Sequence, residues 1–594
     1  MEKLFSEFPN ISTEKWIETI RKDLKGKDIE KLLRKTIDGL EFQPFYRKEN
    51  TENLSVTDVN IAEFPFLRGT KNNHDWKIRQ DFRFSNKKKI AEKIKKAKEK
   101  NVDIIGLDFG KKAKISDNDL KELLLNVENV AISAFKDVEG FYDVLKKSNL
   151  KSSFINFDPI TYIAFVGKHY KNDDEIWQTV EKFLQNPDEN IKTIGINVKH
   201  YANAGASPVM QIAFALAIAE DYFNFATEKN ISIEKILSNI HFNFSVGTEY
   251  FMEIAKLRAF RYLFAKFVES YDSKYKDSAK AYVHLTTSRR NKTIYDPYIN
   301  MLRTTIEGLA GVVAGVDSLN IEAFDTVFSE PDSFSERIAV NQQIILKEEA
   351  YLDKVVDPAG GSYYVENLTV ELISKAWQLF LDIQEKGGFC DALKSNYISS
   401  MISDLNKKED EFVNNGKISV LGVNKHPNSD EKLEDKIINK PVEFADFANE
   451  KAEFEILKEY RLAENFEKIR RDVEKLESVP KVFLFTYGNA VMRRARADFA
   501  GNFFAVAGFE IEDNIGFDTL EEGIRATKGF VADIVVLCSS DDDYLEMSKV
   551  ISKELKGLRI VVAGNPDSKK EIEKYGISDF IHTKSNIYEE LMKY

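Results

Sequence analysis

The sequence predicts an α/β protein in which a (β/α)8 TIM-type barrel is followed by a smaller, doubly wound domain of flavodoxin-like type. Between about residues 75 and 325, eight short β-type runs alternate with charged, helix-like stretches, as parallel strands joined by helices do. From residue 482 a βαβαβ pattern begins again, with short connections. The chain of 594 residues is too long for one ordinary core, and its 43% of hydrophobic residues can fill several.

Three of the eight predicted barrel strands alternate polar with apolar residues. Along Ile240–Val246, for example, His241, Asn243 and Ser245 interleave with apolar residues. Because helices cover the outside of such a barrel, the polar set is expected to face inward. This lining fits either an axial channel for an extended polar ligand or a buried polar network, and the sequence leaves both open. The eight runs are Ile78–Phe84, Val102–Asp108, Val130–Phe135, Ser153–Phe157, Thr193–His200, Ile240–Val246, Tyr282–Ser288 and Leu319–Phe324.

Changes in composition divide the chain into four predicted parts. Residues 1–55 are expected to form a helical lead-in, and residues 56–405 the barrel. Residues 406–475 are charged and Asn-rich with few β-branched runs, which predicts a charged linker. Residues 476–594 are expected to form the second domain.

Composition also excludes several classes of protein. The formal net charge of −12 argues against nucleic acid as a partner, because phosphate binding needs a basic face. The two cysteines, Cys390 and Cys538, exclude a disulfide scaffold or a Cys-rich metal site. The stretch that begins with Met1–Leu4 lacks the apolar core of a signal peptide. No apolar run approaches the ~18 residues that a membrane span needs. The sequence therefore predicts a cytoplasmic protein with no membrane partner.

Common catalytic motifs are absent, including the Walker loop and the H-E-x-x-H pattern. His200 is predicted to end a barrel strand, where catalytic residues of this fold lie, although a hydrogen-bonded structural histidine fits equally. Asn203–Ser207 precedes a helix and fits either an anion site or a tight turn with a capped helix. Asp357–Tyr364 fits a tight loop that another group approaches closely, or a plain glycine turn. The seven histidines are too far apart in sequence to suggest a local metal site.

Several long motifs of the chain resemble those of the methylmalonyl-CoA mutase family. The resemblance runs in collinear order from about residue 65 to 366, and the C-terminal segment resembles the family's cobalamin domain. It implies a (β/α)8 barrel threaded along its axis by coenzyme A, with a cobalamin domain closing over the mouth. In the family, homolysis of the Co–C bond gives a deoxyadenosyl radical that starts a carbon-skeleton rearrangement. The matching motifs are Pro65–Gly69, Ala204–Ala206, Phe251–Ala259, Asp296–Tyr298 with Arg303–Thr304, Phe334–Ala339 and Asp357–Glu366.

The chain departs from the family in the cobalamin motif, D-x-H-x-x-G. There the histidine ligates cobalt and the aspartate supports it. In register, this chain has Val491, Arg493 and Arg496, and a guanidinium has no lone pair to give a metal. Arg496 also fills a glycine position where the cofactor's nucleotide tail must pass. Ser539 persists, and the family's Gly-Gly pair appears as Ala563-Gly564. The comparison implies that this chain binds no cobalamin.

The barrel motifs depart from the family as well. The family's R-Q-Y strand carries a tyrosine beside the radical, and here Asp81 stands in its place. The Tyr-His pair becomes Lys199-His200, so His200 persists while its neighbour does not. The S-G-W segment becomes Ser288-Arg289-Arg290, and no clear match exists for the arginine that holds the substrate carboxylate. His200 is therefore expected to be inactive.

With these departures, the chain resembles the small (beta) subunit type of the heterodimeric bacterial enzymes in this family. The resemblance implies a stabilising chain with no catalytic or metal-binding residues, paired with a large catalytic subunit that holds adenosylcobalamin. The holoenzyme interconverts succinyl-CoA and methylmalonyl-CoA, a step of propionate metabolism. Two alternatives remain: an active cobalamin-dependent acyl-CoA mutase, or a CoA-ester-binding regulatory module.

Overall fold

A computed structural model describes residues 11–110, 114–134, 136–168, 172–433, 452 and 454–594 of the chain. Within these residues, eight parallel strands close into a barrel in the order β10-β3-β4-β5-β6-β7-β8-β9. The predicted (β/α)8 barrel is therefore confirmed. Its strands are β3 (Lys77–Arg83), β4 (Ile104–Asp108), β5 (Asn129–Ser133), β6 (Ser152–Phe157), β7 (Ile191–Ile196), β8 (Ile240–Val246), β9 (Val283–Thr287) and β10 (Ser318–Asn320).

Helices surround the barrel, and their ends follow the capping residues in the sequence. Ser207 caps a 21-residue helix by accepting a hydrogen bond from the N–H of Met210, and Pro208 holds the first helical position. The middle of that helix is buried without a break from Gln211 to Ala219. The surrounding helices are α2 (Lys87–Glu99), α3 (Asp117–Leu124), α4 (Val138–Lys146), α5 (Pro159–Val166), α6 (Asp173–Gln185), α7 (Val198–Ala204), α8 (Pro208–Glu228), α9 (Ile233–Asn239), α10 (Tyr250–Tyr271), α11 (Ile299–Val313) and α12 (Ser333–Ile344).

Shorter elements precede and follow the barrel. The lead-in has one helix, α1 (Thr13–Asp23), and then a small antiparallel pair, β1 (Arg34–Lys35) and β2 (Glu41–Phe42), so its described part is only partly helical. Three helices follow the barrel: α13 (Tyr363–Gln384), α14 (Phe389–Lys394) and α15 (Tyr397–Asn414). The predicted boundary at residue 405 falls inside α15.

The C-terminal domain has a parallel sheet of five strands in the order β12-β11-β13-β14-β15. Counted within the domain, this order is 2-1-3-4-5, the flavodoxin-like order. The elements are α16 (Glu464–Glu474), β11 (Lys481–Thr486), α17 (Ala490–Ala505), β12 (Glu510–Glu512), α18 (Leu520–Phe530), β13 (Ile534–Cys538), α19 (Tyr544–Glu554), β14 (Arg559–Ala563), α20 (Lys569–Ile572), β15 (Asp579–Ile581) and α21 (Ile587–Leu591).

A buried charge network connects three of the sequence motifs. Arg258 on α10 is fully buried and donates to the carboxylates of Asp357 and Glu366, with 2.8 Å to Glu366. Arg68 donates to Asp357 at 2.9 Å from the opposite side. At Gly360 a Cβ would lie 2.3 Å from an Arg68 nitrogen, so the loop has a glycine because the guanidinium approaches it closely.

The described parts of the predicted linker pack on both domains: Leu457 lies in the core of the barrel, whereas Val413, Phe466 and Ile469 lie in a core of the C-terminal domain. Residues 454–462, named here the crossing segment, run over the carboxyl-terminal loops of the barrel. Leu457 donates its N–H to Ala164 after β6, and Leu462 donates to Arg290 after β9. Charged side chains hold this segment through pairs with the barrel. Residues 434–451 and 453 of the predicted linker lie outside the described residues.

Candidate functional site

The polar side chains of the barrel strands do face inward, and in the middle of the barrel they bond to one another. Asn156 accepts from Asn243 at 3.2 Å and lies 2.9 Å from His241, while Asn243 also donates to Asn197 at 3.0 Å. His284 lies 2.9 Å from the hydroxyl of Ser318. Burial lowers the pKa of His241 and His284 well below its usual value, so both rings are neutral at pH 7. Here the structure shows the buried polar network.

Large side chains fill the barrel axis above small residues on neighbouring strands. Asp81 lies over Gly106, where a Cβ would be 1.7 Å from its carboxylate, and His241 lies over Gly195. Below them, the rings of Phe154 and Tyr282 pack at 4.7 Å and form an apolar layer with buried neighbours. The axis is therefore occupied by the chain's own side chains.

A cavity of about 430 Å³ opens above this layer, at the carboxyl ends of the strands. Asn156 and Asn197 of the polar network form its floor, and Phe84 and Phe157 stand in its walls. Substrate sites of this fold lie at the same end of the barrel. The cavity is the candidate site of this chain.

Asp81, which the resemblance aligns with a tyrosine, is held by an ion pair inside the cavity. Arg79 of the same strand donates to its carboxylate at 2.5 and 3.1 Å, and Arg79 is only 4% exposed. The backbone N–H of Asp81 donates to Asn320 on β10. Asp81 is thus neutralised within the barrel wall.

His200 lies in the cavity wall but not at the end of a strand, so that sequence expectation was wrong. Strand β7 ends at Ile196 because the N–H of Asn197 donates to Asp158 at 2.9 Å, and the chain then turns into α7. His200 is in this helix, next to Lys199.

The ring of His200 bonds to the crossing segment. Its Nδ1 lies 2.6 Å from the carboxylate of Glu459, and both side chains are 8% exposed. The ring also packs edge-on against Phe165 at 5.8 Å. This environment fits a structural histidine that holds residues 454–462 on the barrel.

Arg289 and Arg290, which follow strand β9, are both paired with acids of this chain. Arg289 forms a double hydrogen bond to Glu322 beyond β10. Arg290 is buried, donates to Glu409 of α15, and stacks on the ring of Tyr460 at 4.5 Å. Arg290 therefore fastens both α15 and the crossing segment to the end of a barrel strand.

The motif that allowed an anion site, Asn203–Ser207, turns out to be a capped turn. Helix α7 ends at Gly205, which has φ +110°, and Asn406 of α15 donates to the carbonyl of Ala204 at 2.8 Å. A Cβ at Gly205 would lie 1.8 Å from the Asn406 side chain. The tight turn at Asn203–Ser207 thus serves helix packing.

In the C-terminal domain, the three residues that the resemblance aligns with the cobalamin motif lie in the first turns of α17. Val491 is 77% exposed and faces no histidine. Arg493 donates to the carbonyls of Gly488 and Ile515, at 3.3 and 3.1 Å. Arg496 lies above the carboxyl ends of β13 and β14.

Arg496 spans the crevice in which ligands of doubly wound domains bind. It donates to Asp541 beyond β13 at 2.9 Å, and a Cβ added to Gly564 beyond β14 would be in ordinary van der Waals contact with its guanidinium, at 3.5 Å. The retained Ser539 donates to the carbonyl of Tyr487 at 2.8 Å. These residues do not fit a corrin cofactor, because the crevice already contains arginine side chains.

Several residues of the site carry no recognisable sequence motif. Glu459, Glu409 and Tyr460 lie in charged stretches and become important only through contacts with distant loops. Asp158 could have been found from the sequence, since an acidic residue before a proline such as Pro159 is typical of the start of a helix. Burial raises the pKa of Asp158, which accepts from Tyr222 and Thr161.

Neither a cluster of metal ligands nor a membrane-spanning helix is found among the described residues. Among the described residues, no group of three or more His, Cys, Asp or Glu is placed to hold a metal ion. In the same part of the chain, none of the helices is both long and apolar enough to cross a bilayer.

Comparison with known proteins gives consistent matches. A family profile described as methylmalonyl-CoA mutase matches residues 168–500. The chain is 38% identical to the methylmalonyl-CoA mutase small subunit of Porphyromonas gingivalis, over 99% of this chain and 98% of that protein. It is 28% identical to the small subunit from Streptomyces virginiae, over 96% and 95% of the two chains. It is also 32% identical to the large subunit from Porphyromonas gingivalis, over 48% of this chain and 38% of that one.

Proposed function

Because this chain belongs to the methylmalonyl-CoA mutase family, we propose that it is the non-catalytic, stabilising small subunit of a heterodimeric mutase. In this proposal the holoenzyme interconverts succinyl-CoA and methylmalonyl-CoA, and the large subunit holds adenosylcobalamin and does the chemistry. The observation that supports the proposal is the crevice of the C-terminal domain, where Arg493 and Arg496, which align with the family's ligand and tail positions, bond to other residues of this chain.

The barrel supports the same assignment. The family threads coenzyme A along the axis, and here Asp81, His241 and Phe154 fill that axis. His200 is engaged with Glu459. Among the described residues, His200 is therefore bound to the crossing segment, Asp81 is paired with Arg79, and side chains of this chain fill the barrel axis.

The names of two relatives indicate the partner. Porphyromonas gingivalis has both a small and a large subunit of this mutase, and this chain is similar to each. Two chains of one fold can pair through equivalent surfaces, as the halves of a diverged symmetric dimer do. We infer that the partner is a large subunit with an intact D-x-H-x-x-G motif.

The first prediction is that the isolated chain retains no cobalamin. Mixing with adenosylcobalamin, desalting and recording the visible spectrum is expected to leave the protein fraction colourless, because the guanidinium of Arg493 offers no metal ligand. A large subunit with the intact motif, taken through the same steps, is the positive control. A corrin band held by this chain in one-to-one amount would refute the proposal.

The second prediction is that His200→Ala leaves turnover of the reconstituted heterodimer within about threefold, or ~0.65 kcal/mol in the barrier. A positioned acid or base contributes ~10²–10⁴ in rate, so a working histidine would be obvious. The structural role predicts instead that loss of the bond to Glu459 makes residues 454–462 more sensitive to proteolysis, because a buried carboxylate loses its partner.

The matched control is the corresponding histidine of the large subunit, whose substitution by alanine should cost orders of magnitude. A second control, Glu459→Gln, keeps an acceptor for His200 and should protect residues 454–462 better than His200→Ala. A hundredfold loss of turnover in an assembled His200→Ala complex would mean that this chain contains a working site.

A further inference from the structure

Helix α11, on the outside of the barrel, turns an uncharged apolar side to solvent. Tyr298, Leu302 and Ile306 are 60%, 61% and 45% exposed, and their spacing of four residues places them on one side of the helix. An outer helix ordinarily carries charged residues on that side. Among the exposed positions of α11, which the structure describes throughout, only Thr305 is polar, and its hydroxyl donates to the carbonyl of Met301.

The two charged residues of α11 point away from this side of the helix. Glu307 is fully buried and accepts from Lys292 at 2.7 and 2.8 Å. Arg303 donates to Asn300 at 2.7 Å and to the carbonyl of Leu421 at 2.8 Å. An outer side without charge is typical of a helix that packs against another surface, not of one that meets only water.

The apolar surface continues from α11 onto α12. The ring of Phe324 connects Tyr298 with Phe334, at centroid distances of 5.4 and 6.3 Å. Gln342 of α12 donates to the carbonyl of Met301 at 2.8 Å, which holds the two helices side by side. The exposed apolar side chains of this surface, named here the α11–α12 face, are Tyr298, Leu302, Ile306, Phe334 and Ile345.

The area of the α11–α12 face matches what a stable pair of subunits needs. Side chains of this size, each about half exposed, together present on the order of 500 Å² of apolar surface. A standard interface takes ~800 Å² from each partner, and about 56–65% of that area is apolar, which is a similar amount. Aromatic residues and arginine are enriched in interfaces, and the exposed Arg337 stacks on Phe334 at 5.6 Å.

Two of the sequence motifs indicate what covers this face. Tyr298 lies in the motif Asp296–Tyr298 and Phe334 in the motif Phe334–Ala339, through which the chain resembles its family. Neither ring belongs to a buried core, since they are 60% and 46% exposed. A large subunit of the same family is expected to have the corresponding helices. Two chains of one fold that derive from a symmetric dimer pair through equivalent surfaces.

We propose that this chain pairs with the large subunit through the α11–α12 face, and that the corresponding face of the large subunit covers it. The proposal rests on the proposed function, which supplies the partner but not the surface. Leu302 and Ile306, which lie between the aromatic end of the face and Ile345, lose their contact with water when the two subunits meet.

The test is a binding titration of the cognate large subunit with this full-length chain. The double variant Leu302→Glu, Ile306→Glu is expected to weaken the complex at least ~100-fold, because two carboxylates would lose their hydration against an apolar surface. Both side chains are exposed in the isolated chain, so its thermal melting should stay close to that of the wild type. Leu125→Glu is the matched control, because this leucine beyond α3 is 67% exposed and lies outside the face, and it should bind like the wild type.

The outcomes distinguish the surface from the proposed function. If the wild-type chain and the large subunit form no complex, the proposed function is wrong and this interface with it. If the double variant assembles as well as the wild type, the interface lies elsewhere and the proposed function stands. If the isolated chain is a dimer that the double variant turns into a monomer, a second copy covers the face and the assignment to the large subunit is wrong.

Hydroxyl-radical footprinting of the wild-type complex tests the same surface without any substitution. Tyr298 and Phe334 are expected to lose at least about fivefold of their reactivity on assembly, because side chains at the centre of an interface are desolvated. Leu125 should keep its reactivity. Unchanged labelling of both aromatic rings in an assembled complex would overturn the proposal, even if the double variant failed to fold.

Discussion

Turnover of methylmalonyl-CoA by the isolated chain is expected to be undetectable, and at least ~10⁴-fold below that of its complex with the large subunit. The cofactor carries the radical chemistry of this family, and the proposed function is that this chain has lost the residues that would hold it. Loss of one positioned acid or base alone costs ~10²–10⁴ in rate. Asp81 in place of the family's tyrosine adds to this loss, because it is already paired with Arg79.

The measurement compares this chain, the large subunit and the co-expressed pair at equal concentrations with added adenosylcobalamin. Size-exclusion chromatography with light scattering should give one chain of each in the active species. Obligate interfaces usually bury more than ~2,000 Å², so the pair should survive dilution during the assay. A stable and active homodimer of this chain would contradict both the assignment and the partner.

The architecture followed from local patterns in the sequence. Alternation along β8 correctly gave the inward direction of His241 and Asn243, because the side-chain period of a strand depends on few neighbours. Ser207 and Pro208 likewise marked the true start of α8. The end of β7 was misjudged, since it depends on the Asp158 carboxylate that meets Asn197 from another loop.

The site was less accessible to prediction because its main contacts join distant parts of the chain. The pair of Arg290 with Glu409 spans 119 positions, and that of His200 with Glu459 spans 259. A run of charged residues such as the one around Glu409 has the same sequence pattern whether its side chains face water or a buried guanidinium. Whether the axis was open could not be decided from the alternating pattern, because it depends on how Asp81 fits over a glycine of the next strand.

The second large effect concerns stability and lies in the charge network of α10. Arg258 is fully buried, and its two acceptors, Asp357 and Glu366, have side chains that are 5% and 3% exposed. Removing the cation leaves two carboxylates out of water with only Arg68 beside them. Breaking a buried pair from one side typically costs ~3–5 kcal/mol, because the abandoned charge keeps its desolvation penalty. Arg258→Ala is therefore expected to lower the free energy of unfolding by about that amount.

Tryptophan fluorescence during urea unfolding measures this effect selectively, since all four tryptophans of the chain precede residue 380 and none lies in the C-terminal domain. Lys151→Ala is the matched control, because Lys151 of the barrel forms an exposed pair with Glu128 that contributes ~0–1 kcal/mol. The double variant Arg258→Met, Glu366→Gln removes one acid with the cation and leaves Arg68 paired with Asp357, so it should recover much of the loss. If Arg258→Ala were no more destabilising than Lys151→Ala, the motifs around residues 258 and 357 would need a reason other than this buried network. Recovery in the double variant separates desolvated charge from lost packing, since the methionine fills less space than the arginine and restores no hydrogen bond.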